Sequence, residues 1–187
     1  MFHWKQYEMG VCYYPEQWDE TLWRKDLKRM KEAGIGTVRV AEFCWVIFEP
    51  EEGEFHFELF DRFLALCGEE NMQVIIGTPT ATPPAWLTEA YPEVLNALPD
   101  GTLLRHGARR HYNYNSPVYQ RYCCRIVEEM ANHYGPHPAV IGWQIDNELN
   151  CETDMFYSEA DSVAFRSFLK GKYKTLENLN RAWGTVV

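Results

Sequence analysis

The 187-residue sequence predicts an α/β protein, a (β/α)8 TIM barrel of which only about the first four β/α units are present. Four short apolar runs alternate with segments of helical periodicity, and that alternation implies parallel strands joined by right-handed crossovers. Polar and aromatic residues gather just past the carboxyl end of each run, at Tyr13 to Trp18, Glu42 to Trp45, Thr78 to Trp86 and Asp146 to Glu148. A barrel builds its site from just such strand ends. The first strand-to-helix turn carries no glycine-rich phosphate loop, which counts against an open doubly wound nucleotide binder.

Each element has a local cause. "GVCYY" is an aromatic and β-branched run stopped by Pro15, which suits a first strand. In "DETLWRKDLKRMKEAG", Asp19 can cap a helix whose inner face carries Trp23, Leu27 and Met30, and Gly34 can close it in a left-handed conformation. "GTVRVAEF" reads as the second strand. "FHFELFDRFLALCGEENM" places Phe60, Phe63, Leu64 and Cys67 on one helical face, and "QVIIGT" follows as the third strand. The prolines of "TPTATPPAW" remove amide donors and fix the backbone, so the chain leaves the sheet there. The loop runs to Asn115, with a short helix around Trp86 to Ala90. Ser116-Pro117 opens a helix through Val118, Tyr122, Ile126 and Met130 that stops near Gly135. "AVIGWQI" is the fourth strand, and two more helices fall around Asp161 to Tyr173 and Leu176 to Trp183. No repeat, low-complexity tract or linker divides the chain.

Composition narrows the function. With 46% hydrophobic and 15% aromatic residues, a chain of this length carries a real core. The formal net charge is -9 and no long lysine or arginine tract stands out, so nucleic acid is not expected as a partner. No run approaches the roughly 18 apolar residues of a membrane span, and "MFHWKQYEMG" lacks the form of a signal peptide. No membrane association and a cytoplasmic location are therefore expected. Cys12, Cys44, Cys67, Cys123, Cys124 and Cys151 sit mostly within apolar patterns and are expected as reduced thiols.

The fourth strand raises a chemical question, because "WQIDNELN" breaks from apolar to polar at Asp146-Asn147-Glu148. Glu148 stands where a barrel places catalytic groups, and apolar walls such as Trp143 would hold its proton more tightly. Residue type alone leaves open a loop glutamate capping the next helix. Asn147 beside it can both donate to and accept from a sugar hydroxyl. Tyr13, Tyr14, Trp18, Trp45, Trp86, Tyr112 and Tyr114 offer flat faces for stacking on a pyranose ring, against core packing as the alternative for about half. In "HGARRHYNYNSP", Arg109 and Arg110 lie in the same loop and each offers a fork of donors for hydroxyls or a carboxylate, against a solvated surface pair as the alternative. His106, His111 and Cys151 match no compact metal-binding spacing. No metal and no cofactor are expected.

Taken in order, "GVCYYPEQW", "VRVAEFCW", "FEPEEGEFHFELFD", "GTPTATPPAWL", "YPEVL", "GARRHYNYNSP" and "HPAVIGWQIDNELN" closely resemble the amino-terminal half of the bacterial β-galactosidases of glycoside hydrolase family 42. The resemblance covers nearly the whole chain and implies that residues 1–187 are the amino-terminal part of a glycoside hydrolase barrel. It implies a retaining mechanism on terminal β-D-galactosides in which Glu148 is the acid/base, Asn147 holds the hydroxyl next to the reacting carbon, and Arg109 binds the sugar. Arg39 is similar to the arginine with which related barrels orient the nucleophile. Full-length members are expected to form homotrimers. Two alternatives stand beside this reading: another retaining barrel glycosidase acting on arabinosides or fucosides, and a non-catalytic sugar-binding fragment.

Three departures qualify the resemblance. Zinc-bearing members carry a cysteine after "RRHY" and several after the acid/base segment, whereas this chain has Asn113 at the first place and only Cys151 in the second region; no structural zinc is implied. A retaining glycosidase needs a second carboxylate about 5–5.5 Å from the first, which members supply from the seventh strand, beyond residue 187. After "AWGT" the family continues with an aromatic-rich segment where this sequence reads "VV". The chain is thus expected to be a truncated barrel, inactive alone and prone to self-association through open sheet edges. The purified chain should give no saturable turnover of a nitrophenyl galactoside; turnover abolished by Glu148→Gln would contradict this.

Overall fold

The structure is a computed structural model that describes residues 8–107, 111–149, 151 and 153–185. Its elements are β1 (Met9–Cys12), α1 (Glu20–Glu32), β2 (Ile35–Val40), α2 (Trp45–Phe48), α3 (Glu58–Glu69), β3 (Gln73–Gly77), α4 (Ala85–Ala90), α5 (Pro117–Tyr134), β4 (Val140–Gln144), α6 (Glu159–Tyr173) and α7 (Leu176–Trp183). The strands form one parallel sheet in the order β1-β2-β3-β4. Strands laid side by side in chain order are the beginning of a barrel, because a doubly wound sheet reverses direction from its first strand.

The chain divides into two compact units, residues 1–87 with 123–149 and residues 88–122 with 150–187. The first holds the sheet. Val38, Val40, Val74 and Ile76 fill its core together with Trp23 and Leu27 of α1 and Phe60, Phe63, Leu64 and Cys67 of α3. Phe63 stacks on Tyr13 at 5.6 Å and meets the edge of Trp23 at 5.3 Å. Asp19 caps α1 by accepting from the Thr21 amide at 2.9 Å, and Gly34 turns out of it at φ +80°.

Helix α2 has four residues and no helical apolar period to betray it. It exists because Glu49, at its end and fully buried, draws the chain inward. That carboxylate accepts from the Trp45 indole at 3.0 Å, from the Gly53 amide at 2.8 Å and from the Arg125 guanidinium of α5. The Trp86 indole in turn donates to the Glu49 carbonyl at 2.9 Å. A buried carboxylate is tolerated only when donors replace its water, and here four residues converge on Glu49.

The second unit carries the long loop and the last two helices. The loop is more ordered than its prolines suggest: Pro92–Val94 forms a turn of 3-10 helix, and isolated bridges pair Leu95 with Tyr112 and Ala97 with Leu103. Ser158 and Asp161 close a capping box on α6, and Thr175 caps α7. Neither helix has a buried residue, and Val163, Phe165, Phe168, Leu176 and Trp183 are exposed.

All four strands stop short of the apolar runs that predict them, at Cys12, Val40, Gly77 and Gln144. The residues just beyond are where backbone leaves the ladder. At the end of β3 this leaves very little room: a Cβ on Gly77 would lie 2.5 Å from the Cβ of Glu42. Gly77→Ala should therefore destabilise the first unit by about 1–3 kcal/mol, the usual cost of forcing a methyl group into a filled interior. Urea unfolding followed by tryptophan fluorescence measures it.

Candidate active site

Glu148 follows β4 by four residues, and the chain reaches it through an unusual turn. Asp146 and Glu148 both have positive φ, +56° and +51°, conformations that cost non-glycine residues about 1–3 kcal/mol each unless the surroundings impose them. The surroundings here are the end of β3. The Thr78 amide donates to the Gln144 carbonyl at 2.9 Å, extending the β3–β4 ladder by one bond. The Asp146 amide then donates to the Thr78 hydroxyl oxygen at 2.7 Å, and the Thr80 hydroxyl donates to the Asp146 carboxylate at 2.9 Å. All three residues are buried.

The same turn orients Asn147. Its amide N–H donates to the Asp146 carboxylate at 2.6 Å, and its side-chain oxygen accepts from the Gln144 amide at 3.1 Å. With Oδ1 engaged, the Asn147 NH2 group is the end that projects for other use. Glu148 itself is exposed. Trp143, on β4, is half-buried.

Arg39 lies on β2, and its guanidinium meets the buried Glu42 at the strand end. Nε and Nη2 both donate to Glu42 Oε1, at 3.2 and 3.0 Å, and the Tyr14 hydroxyl donates to the same oxygen at 3.2 Å. Burial disfavours the Arg39 charge, but the Glu42 carboxylate more than offsets it, and the guanidinium holds its proton above the ordinary value. Burial and then the Glu42 charge also raise Tyr14. Burial raises the Glu16 carboxyl.

The aromatic residues separate into two groups. Trp45 and Tyr112 are fully buried, and Tyr13 is buried with its hydroxyl donating to Asp26 at 3.0 Å; these are packing residues. Tyr14, Trp86 and Tyr114 are half-buried and Trp18 is exposed. Arg109 and Arg110 lie outside the described residues. His106 bonds Thr88 through Nδ1 at 3.1 Å, with its ring against that of the buried His111, and among the described residues no group of three His, Cys, Asp or Glu side chains could hold a metal. At Asn113 a polar clamp stands instead: its amide donates to Ser158 Oγ at 2.8 Å and Asp161 at 2.5 Å, and Asn115 adds a bond to Asp161 at 2.8 Å. Burial opposes ionisation of Asp161, yet the donors of Asn115, Ser158 and Asn113 win and lower its proton affinity.

Sequence reasoning placed Asn147 and Glu148 at the end of the fourth strand, and the structure puts them there. The sequence names Glu42 and Thr78 only as the first residues of strand-end clusters and gives no role to Thr80 or Gln144, yet these four hold Arg39, Asp146 and Asn147 in place. The available signal was weak, a hydroxyl or carboxylate one or two positions past an apolar run. Thr78→Val keeps the shape but leaves the Asp146 amide without its acceptor, a loss of about 1–3 kcal/mol. Hydrogen exchange should show the Asp146 amide opening faster in that variant, with α3 unaffected.

The family model described as β-galactosidase, that of glycoside hydrolase family 42, matches residues 12–187. The chain is 48% identical over 178 residues to β-galactosidase BgaA of a Thermus species, covering 95% of this chain and 28% of that protein. It is similar to the crystal structure of the β-galactosidase from the psychrophile Marinomonas ef1, with TM-score 0.92, 47% identity, and coverage of 95% of this chain and 27% of that one. The β-galactosidase of the Antarctic haloarchaeon Halorubrum lacusprofundi gives TM-score 0.92 and 44% identity with the same coverage. The chain thus spans about 28% of the length of the Thermus relative, and its four parallel strands match the opening β/α units of the barrel in these structures. By the family match and these identities, the chain belongs to glycoside hydrolase family 42.

Proposed function

We propose that this chain carries the acid/base half of a β-galactosidase site, for terminal non-reducing β-D-galactosides cleaved with retention. The observation that carries the reading is the Asp146–Glu148 turn. A carboxylic acid is presented to solvent at the end of β4, beside an asparagine whose NH2 is aimed by Gln144 and Asp146, in a family whose relatives are named β-galactosidases.

In this reading Glu148 donates its proton to the glycosidic oxygen as the bond to the anomeric carbon breaks. A second carboxylate, brought by a later strand of the barrel, attacks that carbon and forms a covalent galactosyl intermediate. Glu148, now ionised, takes a proton from the water that releases the sugar. Asn147 holds the hydroxyl next to the reacting carbon, where its hydrogen bond strengthens as positive charge develops. Arg109 binds the sugar, and Arg39 steadies the attacking carboxylate. Neither metal nor cofactor is needed. Assembly as a homotrimer and a cytoplasmic setting complete the proposal; among the described residues no helix is long and apolar enough to cross a membrane.

The test is a chimera in which this chain replaces the matching segment of the Thermus BgaA relative. Glu148→Gln should lower lactose hydrolysis by about 10²–10⁴-fold, the usual contribution of a positioned general acid, and lower nitrophenyl galactoside cleavage less, because that leaving group departs with little help. Full-speed lactose hydrolysis by Glu148→Gln overturns the assignment. Faster turnover of aryl arabinosides or fucosides than of galactosides would move the substrate to another sugar.

A further inference from the structure

Glu42 enters none of the steps above, yet it is a fully buried carboxylate just past the end of β2. Its side chain is fully buried, whereas that of Arg39, three residues earlier, is 32% exposed. The chain reaches Glu42 through Ala41 at φ +78°, a left-handed turn that alanine adopts only under constraint. On its other side Gly77 supports it so closely that no side chain fits there. Two backbone concessions, on two strands, thus serve one carboxylate.

Its hydrogen bonds are equally lopsided. Oε1 accepts from Tyr14, Arg39 Nε and Arg39 Nη2, while Oε2 is buried and accepts nothing among the described residues. A device for stability would have both oxygens satisfied or would be replaced by apolar packing, because buried ion pairs add little net stability. The gain lies with the arginine. Gripped along its Nε–Nη2 edge, the Arg39 guanidinium has a fixed plane, and its Nη1 makes no hydrogen bond among the described residues. The free edge of a planar fork is the edge that binds a carboxylate with two parallel bonds.

We propose that Glu42 is a positioning residue: it locks the plane of the Arg39 guanidinium so that the free Nη1 edge faces an anionic group at the carboxyl ends of the strands. Tyr14 is its auxiliary, turning Oε1 toward the arginine. The use made of Arg39 rests on the function proposed above; the lock itself does not.

The lock is read on the 187-residue chain by nitrogen-15 NMR of the arginine side chains. In the wild type, Arg39 Nε–H should exchange with water at least about tenfold more slowly than that of the exposed Arg166, following the tenfold per 1.4 kcal/mol of a hydrogen bond to a buried charge. Glu42→Gln should erase that difference while circular dichroism stays unchanged, and Tyr14→Phe should reduce it only in part. Equal exchange of Arg39 and Arg166 in the wild type overturns the proposal even if Glu42→Gln fails to fold, and so does full protection retained in a folded Glu42→Gln. In the Thermus chimera, Glu42→Gln should lower kcat by about 10²-fold, the cost of a misplaced group, with KM nearly unchanged. Loss confined to KM or to protein yield would make Glu42 a structural residue. A chimera indifferent to Glu148→Gln would sink the functional reading while leaving the NMR result to judge Glu42.

Discussion

A parallel sheet delivers the carboxyl end of every strand to one edge, and each strand that ends there hands its last backbone groups to whatever side chains are at hand. That constraint organises the first unit. The ladder between β3 and β4 does not simply stop; it passes from the Thr78 amide to the Thr78 hydroxyl and from there to the Asp146 backbone. The positive φ values at Asp146 and Glu148 follow from this transfer, since the chain must turn sharply to keep its amide on Thr78. Glu148 is thereby held at a fixed place without being buried.

The same constraint explains why the supporting residues are small and polar. Thr78 and Thr80 present hydroxyl groups that both donate and accept, so each can end a strand and also bind a neighbour. At the end of β2 the solution is ionic, with Glu42 and Arg39 three residues apart across a left-handed alanine. Gly77 joins the two solutions, because β3 must pass close enough to Glu42 to exclude water and still present Thr78 to β4.

How much of this was readable beforehand follows from the range of each cause. Periodic burial is local, so Phe60, Phe63, Leu64 and Cys67 on α3 and the Asp19 cap of α1 were legible residue by residue. The four strands and their parallel order were legible from alternation, and Glu148 and Asn147 from the abrupt end of an apolar run. Helix α2 was not, because it is held by Glu49 and its partners across 76 residues of sequence. The sorting of aromatic side chains was not either: nothing in their identity tells buried Trp45 from exposed Trp18. The brace on Asp146 needs Thr78 and Thr80, more than 60 residues away, and only the fold brings them together.

The acidic side chains at these strand ends and at the end of α2 show how environment divides roles among identical chemical groups. Glu49 is enclosed and committed to donors of the protein itself, and so is Asp146, with Thr80 and the Asn147 amide on its oxygens. A carboxylate so occupied cannot exchange a proton with a ligand without breaking the structure it supports. Glu42 is buried and shares one oxygen among three donors, which suits fixing an arginine and not acid catalysis. Glu148 alone of the four combines exposure with a rigid approach. Of these four, Glu148 is the solvent-facing carboxylate, and Asp146 is the buried one whose bonds fix the turn leading to it.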